Sequence, residues 1–170
     1  MTLAELNGLA RPAFEAQLGG VFEHSPWVAS RAHAARPFAS ADALHGAMMA
    51  AVRAAARDEQ RALVRAHPEL AGAEAKAGTL TAHSTGEQAR LGLNALSGEE
   101  FARISQLNRR YRSKFGFPCI VALTLHGSRA SVLAEMERRL GNSEEQELAT
   151  ALEQIGHITR GRLARMFREG

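Results

Sequence analysis

The chain has 170 residues, 45% of them apolar, and a formal charge of +3. That length fits one domain with a single sizeable core, and the composition excludes a disordered or low-complexity polypeptide. The basic balance, with a pI near 9.7, rests on dispersed arginines rather than one basic arm, so it suits an anionic small molecule at least as well as a nucleic acid. In chain order, the opening MTLAELNGLA lacks a basic region followed by an apolar core and gives no secretory signal. Within it, Thr2-Leu3-Ala4-Glu5 has the form of a capping box, and Pro12 and Pro26 suit first-turn helical positions. Ala41 to Arg65, rich in alanine and arginine, predicts a helix that Pro68 ends by disfavouring helical geometry at His67. Gly72 to Ser84 is polar and poor in large apolar residues, and is read as a mobile loop. Ser97-Gly98-Glu99-Glu100 is a second capping box, opening a helix with Phe101, Ile104, Leu107, Tyr111 and Phe115 as its inward stripe. Gly116-Phe117-Pro118 ends that helix. Cys119-Ile120-Val121-Ala122-Leu123 is either a buried strand-like piece or an irregular segment. Ser128 to Leu140 and Ser143 to Phe167, the latter opened by Ser143 with Gln146, complete the pattern. The expected fold is all-α, a single-domain bundle of about eight helices over residues 1–170, without an internal repeat or a linker.

Cys119 is the one cysteine, which excludes an internal disulfide framework and favours a reducing compartment. No apolar run approaches the ~20 residues that span a bilayer, and the closing Arg168-Glu169-Gly170 is no peroxisomal address. A soluble, cytoplasmic protein is expected, with no membrane partner.

Several residues bear on chemistry. His67 lies where the chain must leave helical geometry; such a histidine is commonly structural, yet imidazole is the side chain best suited to proton transfer near neutrality. Ser84-Thr85-Gly86-Glu87 fits a capping box, with Ser84 capping and Glu87 folding back. A helix N-terminus also attracts anions, so the same turn suits a polar substrate, with Gln88 adding a donor and an acceptor. In the last helix Leu148, Leu152, Ile155, Thr159 and Met166 mark the inward face, and Arg162 falls on that stripe. A core-facing arginine needs a partner, either a buried glutamate or a ligand met by its planar fork. The seven histidines include no pair three or four apart on one helix, so they suggest no metal site. Cys119 has no local sign of activation and reads as a small buried hydrophobe. Arg109, Arg110 and Arg112 spread around the outside of a helix whose Tyr111 faces inward, which describes a solvated face rather than a nucleic-acid patch.

Five runs then occur in order. They are Phe22-Glu23-His24-Ser25-Pro26-Trp27, His67-Pro68-Glu69-Leu70-Ala71, Ser84 to Gln88, Leu107 to Pro118 (LNRRYRSKFGFP), and Ile155 to Leu163. Together they resemble the motifs of the 2-oxo-4-hydroxy-4-carboxy-5-ureidoimidazoline (OHCU) decarboxylase family, over nearly the whole chain. The resemblance implies conversion of OHCU to (S)-allantoin, the last step from urate to allantoin. It implies His67 as catalytic acid/base and Glu87 as its partner at the reacting carbon. Pro68, Ser84, Gln88 and Arg162 are implied as substrate contacts, together with the main chain of Cys119, Ile120, Val121, Ala122 and Leu123. One departure is visible: the family commonly carries Phe or another bulky apolar residue where this chain has Cys119, a change that bears on pocket shape more than on chemistry.

No cofactor is expected, because the substrate's ring C=N bond beside the carboxylate-bearing carbon is itself an electron sink. The family also implies a homodimer and a small-molecule ureide as partner. The rival readings are a helical module that binds nucleic acid and a metal-dependent ureide hydrolase.

Overall fold

The computed structural model describes residues 1–168. The terminal tripeptide read for a targeting signal thus lies partly outside the described residues, at Glu169 and Gly170. Among the described residues there are ten α-helices and two short 3₁₀ turns and no strand. The protein is all-α, as expected. None of the described helices is long and apolar enough to cross a membrane. The chain falls into two compact units, Met1–Ala66 with the chain from Gly156 onward, and His67–Ile155.

In the first unit, α1 (Leu3–Gly8) opens on the expected capping box: Glu5 N donates to Thr2 Oγ1 at 3.2 Å and Thr2 N to Glu5 Oε2 at 2.7 Å. Pro12 sits in the first turn of α2 (Arg11–Leu18), whereas Pro26 is the cap residue just before α3 (Trp27–Ala32) rather than inside its first turn. The tract from Ala41 to Arg65 is two helices, α4 (Ala41–Ala54) and α5 (Arg57–Ala66), not one. Ala55 is extended at the break, and side chains replace the missing helical bonds: Gln60 Nε2 donates to Val52 O at 2.9 Å, and Ala56 N donates to Glu59 Oε1 at 3.4 Å. Asp58 and Glu59 then suit the new N-terminus electrostatically. Alanine propensity alone cannot register such a break. Phe14, Leu18, Val28, Leu44, Met48 and Val52 are buried as this unit's core.

In the second unit the stretch read as a loop contains a short helix, α6 (Ala73–Ala77), and the start of α7 (Ala82–Arg90). Three alanines favour the first, and Gly78 ends it in the left-handed region at φ 68°. α8 (Gly98–Phe115) has the Ser97 capping box and ends at Gly116, φ 76°. Ile104, Leu107, Tyr111 and Phe115 are buried along its stripe, while Phe101 is half-buried with Lys76 Nζ 4.2 Å from its ring centroid. Residues 119–122 are irregular rather than a strand and lead into a 3₁₀ turn, Leu123–Leu125. Ser128 caps α9 (Arg129–Arg139). α10 (Glu144–Arg168) begins with reciprocal Ser143 and Gln146 bonds of 2.9 and 3.2 Å, and contributes residues to both units.

Candidate active site

The His67-Pro68-Glu69-Leu70-Ala71 run leaves α5 at Ala66 and forms a tightly held loop. Ala71 has φ 47°, a left-handed conformation that a non-glycine residue keeps only when its surroundings enforce it. Here they do. Ala71 N donates to Gln88 Oε1 at 3.0 Å, Gln88 Nε2 to Glu69 O at 3.3 Å, and Asn108 Nδ2 to Leu70 O at 2.9 Å. Arg112 Nε holds the Glu69 carboxylate at 2.7 Å. Gly72 closes the loop where a Cβ would stand only 2.6 Å from Glu69 Cβ, so no other residue fits without a shift. His67 is buried at the head of this loop and Pro68 is half-buried.

The capping box expected at Ser84 to Glu87 does not form. Helix α7 starts one turn earlier, with Thr81 as cap: Ser84 N donates to Thr81 Oγ1 at 3.3 Å, and the Thr85 hydroxyl to Thr81 O at 2.9 Å. Spacing alone could not separate the two registers, since a hydroxyl stands at both 81 and 84. Glu87 therefore lies in the second turn, half-buried and clear of the cap. Ser84, Glu87 and Gln88 fall at i, i+3 and i+4 and share one face, with Ser84 and Gln88 buried.

Side chains hold the segment 119–123 at three main-chain atoms. Ile120 O accepts from Arg139 Nη1, Ala122 N donates to Gln154 Oε1 at 2.9 Å, and Leu123 O accepts from Arg90 Nη2. Arg90 also reaches His126 O at 3.1 Å. Among the described residues, the amides of Cys119, Ile120 and Val121 have no protein acceptor, although all three residues are buried. Burial pushes the Cys119 thiol up to about 12, so it stays protonated and inert, as its sequence context suggested. Helix α7 thus touches both other runs, through Gln88 to residues 69–71 and through Arg90 to Leu123.

Sequence reasoning missed the side chains that brace this arrangement: Arg90, Asn108, Arg139, Glu147 and Gln154. Arg139 and Glu147 were within reach. Arg139 continues the buried phase of Val132 and Met136, and Glu147 lies four residues before buried Ala151. The phase argument that singled out Arg162 applies to both. Arg162 itself belongs to the first unit and is buried as expected, its Nη1 donating to Val21 O and its Nη2 to Glu23 Oε1, each at 3.1 Å. Its glutamate partner is therefore the one in the Phe22-to-Trp27 run. Arg109, Arg110 and Arg112 are exposed. Among the described residues no group of three or more His, Cys, Asp or Glu side chains is gathered as a metal site.

Residues 7–164 match the OHCU decarboxylase family. The chain is 41% identical to the 2-oxo-4-hydroxy-4-carboxy-5-ureidoimidazoline decarboxylase of Haloferax volcanii, over 98% of this chain and 96% of that protein. It is 37% identical to the mouse (Mus musculus) protein of the same name, over 96% of this chain and 91% of the other. Among solved structures it is similar to the crystal structure of (S)-allantoin synthase, with a TM-score of 0.73 and 28% identity over 97% of this chain and 54% of that one. The chain belongs to the OHCU decarboxylase family, and so to the carboxy-lyases.

Proposed function

We propose that this protein decarboxylates OHCU to (S)-allantoin, closing the path from urate, with His67 and Glu87 handling protons and without a cofactor. The observation that carries the reading is the double hold of Gln88 on Glu69 O and Ala71 N. It ties the loop that begins at His67 to the helix that carries Glu87.

Loss of carbon dioxide leaves an electron pair on the carbon that also bears the hydroxyl. That pair forms a double bond to the ureido-bearing carbon as the ring C=N electrons move onto nitrogen, which takes up a proton. The hydroxyl proton then leaves as the ring carbonyl forms, and the ureido-bearing carbon takes up a proton on one face. The substrate supplies the sink, so the protein needs to orient the ring and manage the protons at nitrogen, oxygen and carbon. His67 is assigned as acid/base and Glu87 as its partner at the reacting carbon. Pro68, Ser84, Gln88 and the main chain of residues 119–123 are assigned to substrate contact. The unclaimed amides of Ile120 and Val121 support that assignment, since buried N–H groups seek an acceptor. Arg162 is assigned to a ring or ureido oxygen that gains charge, because gripping the departing carboxylate would stabilise the ground state and raise the barrier. Residues 1–170 acting as one domain, as a cytoplasmic homodimer, belong to the same proposal.

Carbon-13 urate carried through oxidation and hydrolysis by the two preceding enzymes tests the chemistry. Adding this protein is expected to speed the conversion of labelled OHCU, and exhaustive chelation to leave the rate unchanged. A rate that falls on chelation and returns with a divalent ion would favour the metal-dependent hydrolase instead.

Arg162→Lys is expected to fold and to bind (S)-allantoin about 10- to 100-fold more weakly, since lysine keeps the charge but loses the planar fork. Arg168→Lys, on an exposed position, is expected to bind normally. Calorimetric titration of both variants checks this, and equal affinities would reduce Arg162 to its bonds with Val21 and Glu23.

A further inference from the structure

Tyr111, Arg139 and Glu147 form a buried polar group that no step above uses. Arg139 and Glu147 are both fully buried and paired at 2.7 Å. Tyr111 donates to Glu147 Oε1 at 2.5 Å, Asn142 Nδ2 to Glu147 Oε2 at 2.9 Å, and Arg139 Nη2 to the Tyr111 hydroxyl at 3.5 Å. Burial holds the phenol far above its usual range, so it keeps its proton and donates. A buried ion pair adds little net stability over well-packed apolar side chains. The remaining bond of Arg139, from Nη1 to Ile120 O, shows what the group fixes.

We infer that Arg139, held by Glu147 and Tyr111, is a positioning residue that locks the Ile120–Val121 peptide plane and so aims the Val121 amide at the bound ureide. The geometry is elementary. In a trans peptide the carbonyl and the N–H point in opposite directions, and the one cis bond among the described residues is Arg36–Pro37. With the Ile120 carbonyl turned to Arg139, the Val121 N–H faces away from it. The next plane is fixed independently, because Ala122 N donates to Gln154 Oε1. The Val121 N–H therefore cannot rotate to find a partner, and among the described residues it has no protein acceptor. A ureide oxygen is an acceptor of the right kind. The inference rests on the proposed reading of residues 119–123 as substrate contacts.

Proton–nitrogen correlation spectra of the full-length protein, titrated with (S)-allantoin, test it. In the parent protein the Val121 amide proton is expected to move downfield and saturate with the ligand. Arg139→Lys keeps the charge opposite Glu147 but loses the fork. It is expected to weaken allantoin binding about tenfold and to abolish the Val121 shift even at saturation. Tyr111→Phe keeps the ion pair and is expected to reduce that shift; it decides the matter if Arg139→Lys does not fold. A Val121 shift that survives at saturation in the folded variants overturns the positioning role and leaves the segment reading intact. A parent spectrum in which residues near His67 and Glu87 respond but Val121 does not overturns both. No response anywhere in the parent counts against the proposed function itself.

Discussion

Glu87→Gln is expected to fold as the parent does and to lose turnover by roughly 10²- to 10⁴-fold, the range for a proton-handling group. The substitution leaves the helix cap intact, because Glu87 is not part of it. Helix α7 starts at Ala82 under Thr81, and Glu87 lies in the second turn. Glutamine has nearly the helix propensity of glutamate and keeps an acceptor oxygen, but it has no basicity. Thr81→Ala is the matching control, since it removes the real cap. It is expected to cost about 1 kcal/mol of stability and little turnover. Thermal unfolding and steady-state rates on both variants separate the two roles. Near-normal turnover in folded Glu87→Gln would return this residue to structure.

Glu147→Ala is expected to be the most destabilising single change in the second unit. It strands the Arg139 guanidinium, which is fully buried, and removes the acceptor of Tyr111 and Asn142. Breaking a buried pair by removing one member costs about 3–5 kcal/mol, because the remaining charge is left uncompensated. For a protein of this size that corresponds to a drop in Tm of about 10 °C or more. Tyr111→Phe removes a neutral donor and leaves the pair in place, so it is expected to cost about 1 kcal/mol. A calorimetric scan that finds the two variants equally stable would contradict this account of the network.

Most of the helical frame was legible because caps and periodicity are local. The Thr2, Ser97, Ser128 and Ser143 starts and the stripe from Ile104 to Phe115 depend on residues three or four apart. Two of the errors show how local signals become ambiguous. Alanine-rich sequence hid the break at Ala55, and two hydroxyls three residues apart hid the true start of α7. Arg162 was legible as an inward arginine by phase alone, but its partner Glu23 lies 139 residues away. For the same reason the bonds that brace the loop at 69–71 and the segment at 119–123 were invisible. Asn108 meets Leu70, Arg139 meets Ile120 and Gln154 meets Ala122 across 38, 19 and 32 residues, and no periodicity encodes those meetings.

Circular dichroism at allantoin wavelengths tests the central claim most directly. Urate oxidised and hydrolysed in place yields OHCU, and this protein is then added or omitted. Faster appearance of an optically active signal of the (S) sign is expected, because protonation of the ureido-bearing carbon on one face gives a single enantiomer. Product that forms at the spontaneous rate and remains racemic would contradict it.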